Sequence, residues 1–217
     1  MNYYQKITEF AIISLLSLFI FSPLISRGEN LKTGDLIFQC EGEGEFSKAI
    51  SGATGRTDSL NYVHVGIIET IEDSVFVYEA SPEFGVRKTL LDEFLSSSPQ
   101  IDGKPLVVIK RLEMEFPVEK TIENVKNHIG EPYDWWYLPD NGRMYCSELV
   151  YECFIDYDGN KIFVASPMNF HNADGTISQF WTDLFKKLDM EVPQGIEGTN
   201  PQDLSEDYRL RIVRKFF

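Results

Sequence analysis

Three side chains in this sequence have the types and surroundings needed for nucleophilic catalysis, and the first is Cys146. It lies in the segment GRMYCSELVYECF, residues 142–154, where apolar residues recur three, four, seven and eight positions after it. That spacing indicates one face of an α-helix with Cys146 in its first turn. Unpaired N–H groups at a helix N-terminus stabilise a thiolate and can bind an oxyanion. Cys153, two turns later, is predicted to be a small buried apolar residue, which is also the alternative for Cys146.

A thiol nucleophile needs a base, and the sequence has three histidines. His64 lies in the apolar run YVHVGIIE, where a polar ring requires a partner or a role. His128 is near the end of a charged segment and is predicted to cap a helix in solvent. His171 lies in the loop FHNADG, with no regular element to hold it. His64 is therefore the candidate base.

The chain around His64 also provides a carboxylate. Residues 62–69 and 74–80 are strand-like, and the short polar turn between them predicts an antiparallel hairpin. In one register Glu79 lies directly opposite His64, and in the other it lies one diagonal step away on the same face. We therefore expect a triad in which Cys146 attacks, His64 transfers protons and Glu79 orients the imidazole. The alternative for Glu79 is a strand-end carboxylate in solvent.

The remaining pattern predicts the elements that must position these residues. A turn leads into a first strand within residues 31–40, and further strands are predicted over residues 62–69, 74–80, 105–111 and 210–217. Helices are predicted over residues 46–53, 88–95, 118–129, 146–154 and 180–188. Strands that cluster between helices, rather than alternate with them, indicate the α+β class.

Composition excludes several classes of function. The chain has 217 residues, which suggests one domain, and its net charge of −14 argues against a nucleic-acid partner. The histidines and cysteines lack the spacing of a zinc site, and the segment DYDGN has its glycine misplaced for a calcium loop. We expect neither a metal nor an organic cofactor.

The N-terminal residues 1–28 have the layout of a signal peptide, with Lys6 before the apolar run Phe10–Ile25 and small residues after it. The alternative is an uncleaved N-terminal anchor, which would be the only reason to expect the membrane as a partner. Residues 29–217 would then form one exported, periplasmic or extracellular domain. Three cysteines in an oxidising compartment leave at least one thiol without a partner in the chain.

Several segments resemble the permuted papain-like amidases of the YaeF/YiiX type, which are relatives of the NlpC-type cell-wall peptidases. In that family the cysteine-bearing helix follows the sheet in the chain, whereas in papain it precedes the sheet. The pairing of HVGI with YCSELV at this separation is the specific part of the resemblance. The matching segments, in chain order, are LKTGDLIFQ (31–39), HVGII (64–68), VYEASPEFGV (77–86), IGEPYDWWY (129–137), YCSELVYECF (145–154) and TNPQDLSED (199–207).

The resemblance implies a papain-like core, a small antiparallel sheet packed against the cysteine helix. It implies hydrolysis of a peptide or isopeptide amide through an acyl-enzyme, with cell-wall peptide as the natural substrate of an exported enzyme. It assigns the nucleophile, base and orienting acid to the same three residues as the spacing does. The backbone N–H of Cys146 would form part of the oxyanion hole. Tyr133 and Tyr145 are candidates to complete it, and the alternative for each is an aromatic residue of the wall or core. Asp35 is a further candidate for the site lining, and its alternative is a turn before the first strand.

Two other functions remain possible on the same fold. The wider permuted papain-like group includes lipid acyl hydrolases and acyltransferases, and the aromatic segment WWYLP could hold the acyl chain of a lipid amide. A non-catalytic binding module is the third hypothesis, against which the intact cysteine, histidine and glutamate argue.

Signal cleavage would place the mature N-terminus near Glu29. Intact-mass analysis of the exported protein is expected to show loss of the first 28 residues. A full-length mass would indicate the uncleaved anchor instead.

Overall fold

A computed structural model describes residues 30–56 and 60–217 of the chain. The predicted leader, residues 1–28, lies outside the described residues. In chain order the elements are β1 Leu36–Cys40, α1 Glu45–Thr54, β2 Tyr62–Ile71, β3 Ser74–Ser81, β4 Gly85–Leu90, α2 Leu91–Ser97, β5 Gln100–Ile101, β6 Lys104–Pro105, β7 Val107–Leu112, α3 Val118–Asn127, α4 Cys146–Cys153, β8 Ser166–Pro167, α5 Gln179–Lys187, β9 Glu197–Gly198, α6 Pro201–Ser205 and β10 Leu210–Lys215.

The centre of the fold is a six-stranded sheet in the order β10-β7-β1-β2-β3-β4. Every neighbouring pair of its strands is antiparallel. Side chains alternate along β1, so that Leu36 and Phe38 join one apolar cluster and Ile37 joins another on the opposite face. The larger cluster includes the buried face of α4, and the smaller one includes α2. The α+β prediction and the packing of a small antiparallel sheet against the cysteine helix are confirmed.

The hairpin of β2 and β3 has the second of the two predicted registers. Ile67 lies opposite Tyr78, so Glu79 lies one diagonal step from His64 on the same face. Gly66 lets the strands approach closely, because a Cβ atom there would lie 2.9 Å from the Tyr78 carbonyl oxygen. The glycine of the HVGII segment therefore has a packing role.

The helix predicted over residues 88–95 is wrong in its first half. Lys88, Thr89 and Leu90 are part of β4 and pair with β3, and α2 begins only at Leu91. The strand continues because pairing with β3 satisfies its backbone and because Lys88 Nζ binds Glu69 Oε2 at 2.7 Å. The other predicted helices and the later strands agree with the structure to within two residues at their ends.

The segment that precedes the cysteine helix is bound to the edge of β4. The Val86 N–H donates to the Glu131 carbonyl at 2.8 Å, and the Gly130 N–H donates to the Val86 carbonyl at 2.9 Å. Gly85 has a φ of +67°, and a Cβ atom there would lie 2.2 Å from the Glu131 oxygen. Glycine at this position thus allows the aromatic loop after α3 to lie beside β4.

Two further observations concern the described helices and the three cysteines. Among the helices of residues 30–56 and 60–217, none combines the length and the apolar character that crossing a bilayer requires. Cys40, Cys146 and Cys153 are all free and buried.

Candidate active site

The structure brings the three predicted catalytic side chains together. Nε2 of His64 lies 2.6 Å from Oε2 of Glu79, joining β2 to β3. The Cys146 thiol, in the first turn of α4, is close enough to the ring to favour its protonated form. Because Nε2 is taken by Glu79, Nδ1 is the ring nitrogen left for the thiol. The imidazole therefore lies between a thiol and a carboxylate, as a nucleophile–base–orienter arrangement requires.

Burial makes these contacts strong. The side chains of His64 and Glu79 are only 12% and 5% exposed. The ring of Phe94 stacks on the His64 ring at a centroid distance of 6.0 Å and an interplanar angle of 23°. Little water is left to screen the charges or to compete for the hydrogen bonds. The imidazole plane is therefore held by the Phe94 ring on one face and by Glu79 at Nε2.

These contacts set the protonation state of His64. Burial disfavours the charged ring, but hydrogen bonds to Cys146 and Glu79 outweigh burial and raise the pKa of His64 to about 10. The imidazolium form is thus the dominant one at neutral pH. Hydrogen bonds and charge from His64 and Arg87 likewise outweigh burial at Glu79 and hold the pKa of its carboxyl below the usual range.

Arg87 is a member of this site that was not predicted from the sequence. It lies on β4 directly opposite Glu79. Its Nε and Nη2 atoms donate to Oε1 of Glu79 at 2.9 and 2.7 Å, while Oε2 binds His64. The signal was the second hairpin, VYEASPEFGVR, whose tight turn places the arginine across from the glutamate.

Two cavities meet at the triad. The cavity on the thiol side, called here the Cys146 cavity, has a volume of about 50 Å³. The open depression on the imidazole side, called the His64 groove, has a volume of about 380 Å³. Tyr133 and Ile50 line both. The Cys146 cavity is mainly apolar and is also lined by Tyr137, Tyr145, Met168, Phe170 and Trp181.

Two buried hydroxyl groups line the Cys146 cavity without a hydrogen-bond partner. They are Oγ of Ser147, next to the nucleophile, and Oγ1 of Thr199, in the segment before α6. Ser147 is fully buried and Thr199 is 7% exposed. A ligand group that enters the cavity beside Cys146 could therefore bind to these hydroxyls.

The three secondary site candidates have different positions. Tyr133 lies between the two cavities. Tyr145 lines the Cys146 cavity, but its hydroxyl accepts the Thr199 N–H at 3.1 Å. Asp35 lines neither cavity: its carboxylate binds Nε and Nη2 of Arg111 at 2.6 and 2.8 Å. The prediction that Asp35 lines the site is therefore corrected, because a buried carboxylate at the start of β1 needs a cation and Arg111 on the next strand provides it.

Comparisons with known proteins agree with this geometry. The family model for the permuted papain-like amidase enzymes, YaeF/YiiX, C92 family, matches residues 30–214. The chain belongs to the permuted papain-like amidase family. This assignment supports an amide hydrolase at the family level.

Two proteins from Escherichia coli illustrate the relationship. The chain is 28% identical over 187 residues to the protein YiiX of strain K12, covering 85% of this chain and 86% of YiiX. A crystal structure described as that of the metalloprotein yiiX from strain O157:H7 superimposes with a TM-score of 0.67 at 26% identity. That match covers 85% of this chain and 97% of the other.

The description of that neighbour as a metalloprotein raises the question of a metal in this amidase-family chain. Within residues 30–56 and 60–217, no group of three or more His, Cys, Asp or Glu side chains could hold a metal ion together. The donor set of the described residues does not fit a metal, so no chemical step is derived through one.

Helix α4 of this family member also contains a buried carboxyl group, that of Glu148 in its first turn. Glu148 is 8% exposed, and its Oε2 accepts the Tyr145 N–H at 3.2 Å. Burial, followed by the charges of Asp134 and Glu152, raises the pKa of Glu148 to about 8. The carboxyl is therefore mostly neutral at pH 7, which leaves the field of the helix N-terminus available to the thiolate.

We expect Glu148→Gln to stabilise the protein increasingly as pH rises from about 5 to about 8. The pKa of the Glu148 carboxyl is about 8 in the folded state and about 4.3 in the unfolded state, so over this window the unfolded state ionises while the folded state keeps its proton, and the wild-type protein loses stability. The amide has no proton to lose and can still accept the Tyr145 N–H. Melting temperatures at pH 5, 6.5 and 8 measure the effect.

Glu123→Gln, on an exposed part of α3, is the matched control and should show no such trend. A melting-temperature difference between Glu148→Gln and wild type that does not change with pH would contradict the assignment.

Proposed function

We propose that this protein is a cysteine amidase that cleaves peptide or isopeptide bonds through a Cys146–His64–Glu79 triad. The observation that carries the proposal is the position of the His64 ring, held between the Cys146 thiol and the Glu79 carboxylate. In this mechanism the thiolate attacks the amide carbon, and the amine leaves as an acyl-enzyme forms. Water then releases the acyl group with His64 as the base.

The protonation of His64 suits the first half of this cycle. With its pKa raised to about 10, the ring is an imidazolium that can give its Nδ1 proton to the leaving nitrogen. Glu79 accepts a hydrogen bond from the Nε2–H group of His64 and stays ionised, because the pKa of its carboxyl is lowered. Loss of the proton to the amine leaves a neutral ring, which is the form needed to activate water in the second half.

The oxyanion site is proposed at the N-terminus of α4. The N–H of Cys146 has no partner within the helix, as for any first helical residue. Tyr133 is the second donor we favour, because it lies between the cavities and burial raises its pKa well above the usual value, so the phenol keeps its proton. The Tyr145 hydroxyl is less suited, because it already contacts the Thr199 N–H and the Met168 sulfur.

The two cavities support an orientation for the substrate. The leaving amine must reach the proton of His64, so its side of the substrate lies in the His64 groove. The acyl group becomes attached to the Cys146 sulfur, so it lies in the Cys146 cavity. The acyl side of the site is therefore mainly apolar with two hydroxyl groups, and the amine side carries the charged groups of His64, Glu79 and Arg87.

This chemistry is compatible with an exported enzyme that acts on cell-wall peptide. Unpartnered hydroxyls of Ser147 and Thr199 favour an acyl group that itself carries a hydrogen-bonding group, such as the next amide of a peptide. The apolar and aromatic lining favours a second candidate, hydrolysis or transfer of the acyl group of a lipid amide. The two candidates differ in whether the hydroxyls contribute to the rate.

We expect iodoacetamide to alkylate Cys146 much faster than Cys40 or Cys153. Burial raises the pKa of Cys40 to about 11 and that of Cys153 further, so both remain unreactive thiols. His64→Ala should slow the labelling of Cys146 by about tenfold or more, because the imidazolium partner of the thiolate is lost. Peptide mass spectrometry across pH 4 to 9 measures all three rates in one sample.

Cys146→Ala should abolish release of amines from cell-wall peptides while leaving the fold intact.

In the labelling experiment on wild type, alkylation of Cys146 no faster than that of the other two cysteines would refute the triad and favour a binding module.

We expect Ser147→Ala combined with Thr199→Val to lower kcat/KM on cell-wall peptides by about tenfold, as the loss of one or two buried hydrogen bonds predicts. Hydrolysis of a long-chain N-acyl amide in vesicles should change little. Thr121→Val is the matched control, because Thr121 also has a buried hydroxyl without a partner but lines neither cavity. An unchanged rate on peptides, with activity on the vesicle amide, would support the lipid candidate.

A further inference from the structure

Three adjacent strands each contribute one charged side chain to a single row. His64 is on β2, Glu79 is on β3, and Arg87 is on β4. Arg87 is directly opposite Glu79, and His64 is diagonal to it. The register of the sheet therefore places a cation on each side of one buried carboxylate.

The Glu79 carboxylate is shared between these cations without overlap. Oε2 lies 2.6 Å from Nε2 of His64, and Oε1 accepts from Nε and Nη2 of Arg87 at 2.9 and 2.7 Å. A carboxylate held at one oxygen by two N–H groups of a planar guanidinium has little freedom to rotate. Its other oxygen is consequently directed at the imidazole.

The arginine is itself held in place. Its guanidinium carbon lies 4.3 Å above the centre of the Phe84 ring, in the turn between β3 and β4. Its side chain is 31% exposed, whereas that of Glu79 is 5% exposed. Arg87 thus extends from the wall of the His64 groove to the buried carboxylate.

We propose that Arg87 is a positioning residue of the active site, which orients Glu79 towards His64 and keeps that carboxylate charged throughout the reaction. The inference rests on the proposed function, since it concerns the same triad. Without Arg87, His64 would be the only cation beside Glu79, and the carboxylate would hold the Nε2 proton of the imidazolium more tightly. With Arg87 present, the imidazolium is less basic, so it can donate its Nδ1 proton to the leaving amine.

Other charged and titratable groups face this row. Glu93 on α2 interacts with Arg87, and Glu83 in the β3–β4 turn lines the His64 groove. Cys146 on α4 faces His64, and Tyr133 lies between the cavities. None of these supplies a second positive charge to Glu79. Removal of Arg87 therefore makes protons on the neighbouring groups harder to remove.

The test is the pH dependence of Cys146 alkylation by iodoacetamide in Arg87→Met, Arg87→Lys and wild type. For Arg87→Met we expect the acidic limb of the rate profile to move upward by about half a pH unit or more. At a pH below the limb this corresponds to labelling about threefold slower. Arg87→Lys, which keeps the charge but not the paired donors, should lie between Arg87→Met and wild type.

Lys88→Met is the matched control. It removes a cation from the same strand that binds Glu69 rather than Glu79, and its limb should coincide with that of wild type. A rate lowered by one factor at every pH, with the limb unmoved, would overturn the proposal, because a merely structural role predicts that result. If circular dichroism shows that Arg87→Met does not fold, Arg87→Lys serves as the test. An acidic limb that does not move in Arg87→Lys would then be sufficient to refute the proposal.

The wild-type profile separates this proposal from the function on which it rests. If wild-type labelling is fast and depends on His64, an unmoved limb in the Arg87 variants refutes only the role of Arg87. If wild-type labelling is slow and independent of His64, the triad is refuted and the role of Arg87 falls with it.

Discussion

The 2.6 Å contact between His64 and Glu79 is the interaction on which the arrangement of the site depends. It exists because β2 and β3 pair in a register that puts both side chains on one face, and a slip of one residue would separate them. Apolar residues on both faces of the sheet hold that register, since a slip would also expose them to water. The fold thus stabilises the geometry of the site through packing that lies outside it.

Charge alternates across the site in a protein that is strongly acidic overall. Arg87 is positive, Glu79 is negative and His64 is positive, and the thiol of Cys146 lies at the positive end of α4. Glu79 has a positive partner on each side, and burial strengthens these two interactions because little water screens them. Glu148 differs, because burial raises the pKa of its carboxyl so that it is mostly uncharged.

The site has two chemically different sides because different parts of the chain build them. Aromatic residues from the loop after α3 and from the C-terminal segments form the Cys146 cavity. Strands β2 to β4 and the turn between β3 and β4 form the His64 groove. Helix α1 lies over both, since Ile50 lines each of them. The charged side chains of His64, Glu79 and Arg87 line the His64 groove and not the Cys146 cavity.

The sequence by itself determined the cysteine helix, the His64 hairpin and the α+β class, because these depend on local periodicity and turn chemistry. It also limited Glu79 to two registers that share a face. Only the tertiary structure decided the rest. Arg87 reaches Glu79 through a second hairpin, Lys88 extends a strand because β3 is beside it, and Asp35 binds an arginine 76 positions away. Such contacts join residues whose proximity depends on how the strands and helices assemble, which no local pattern encodes.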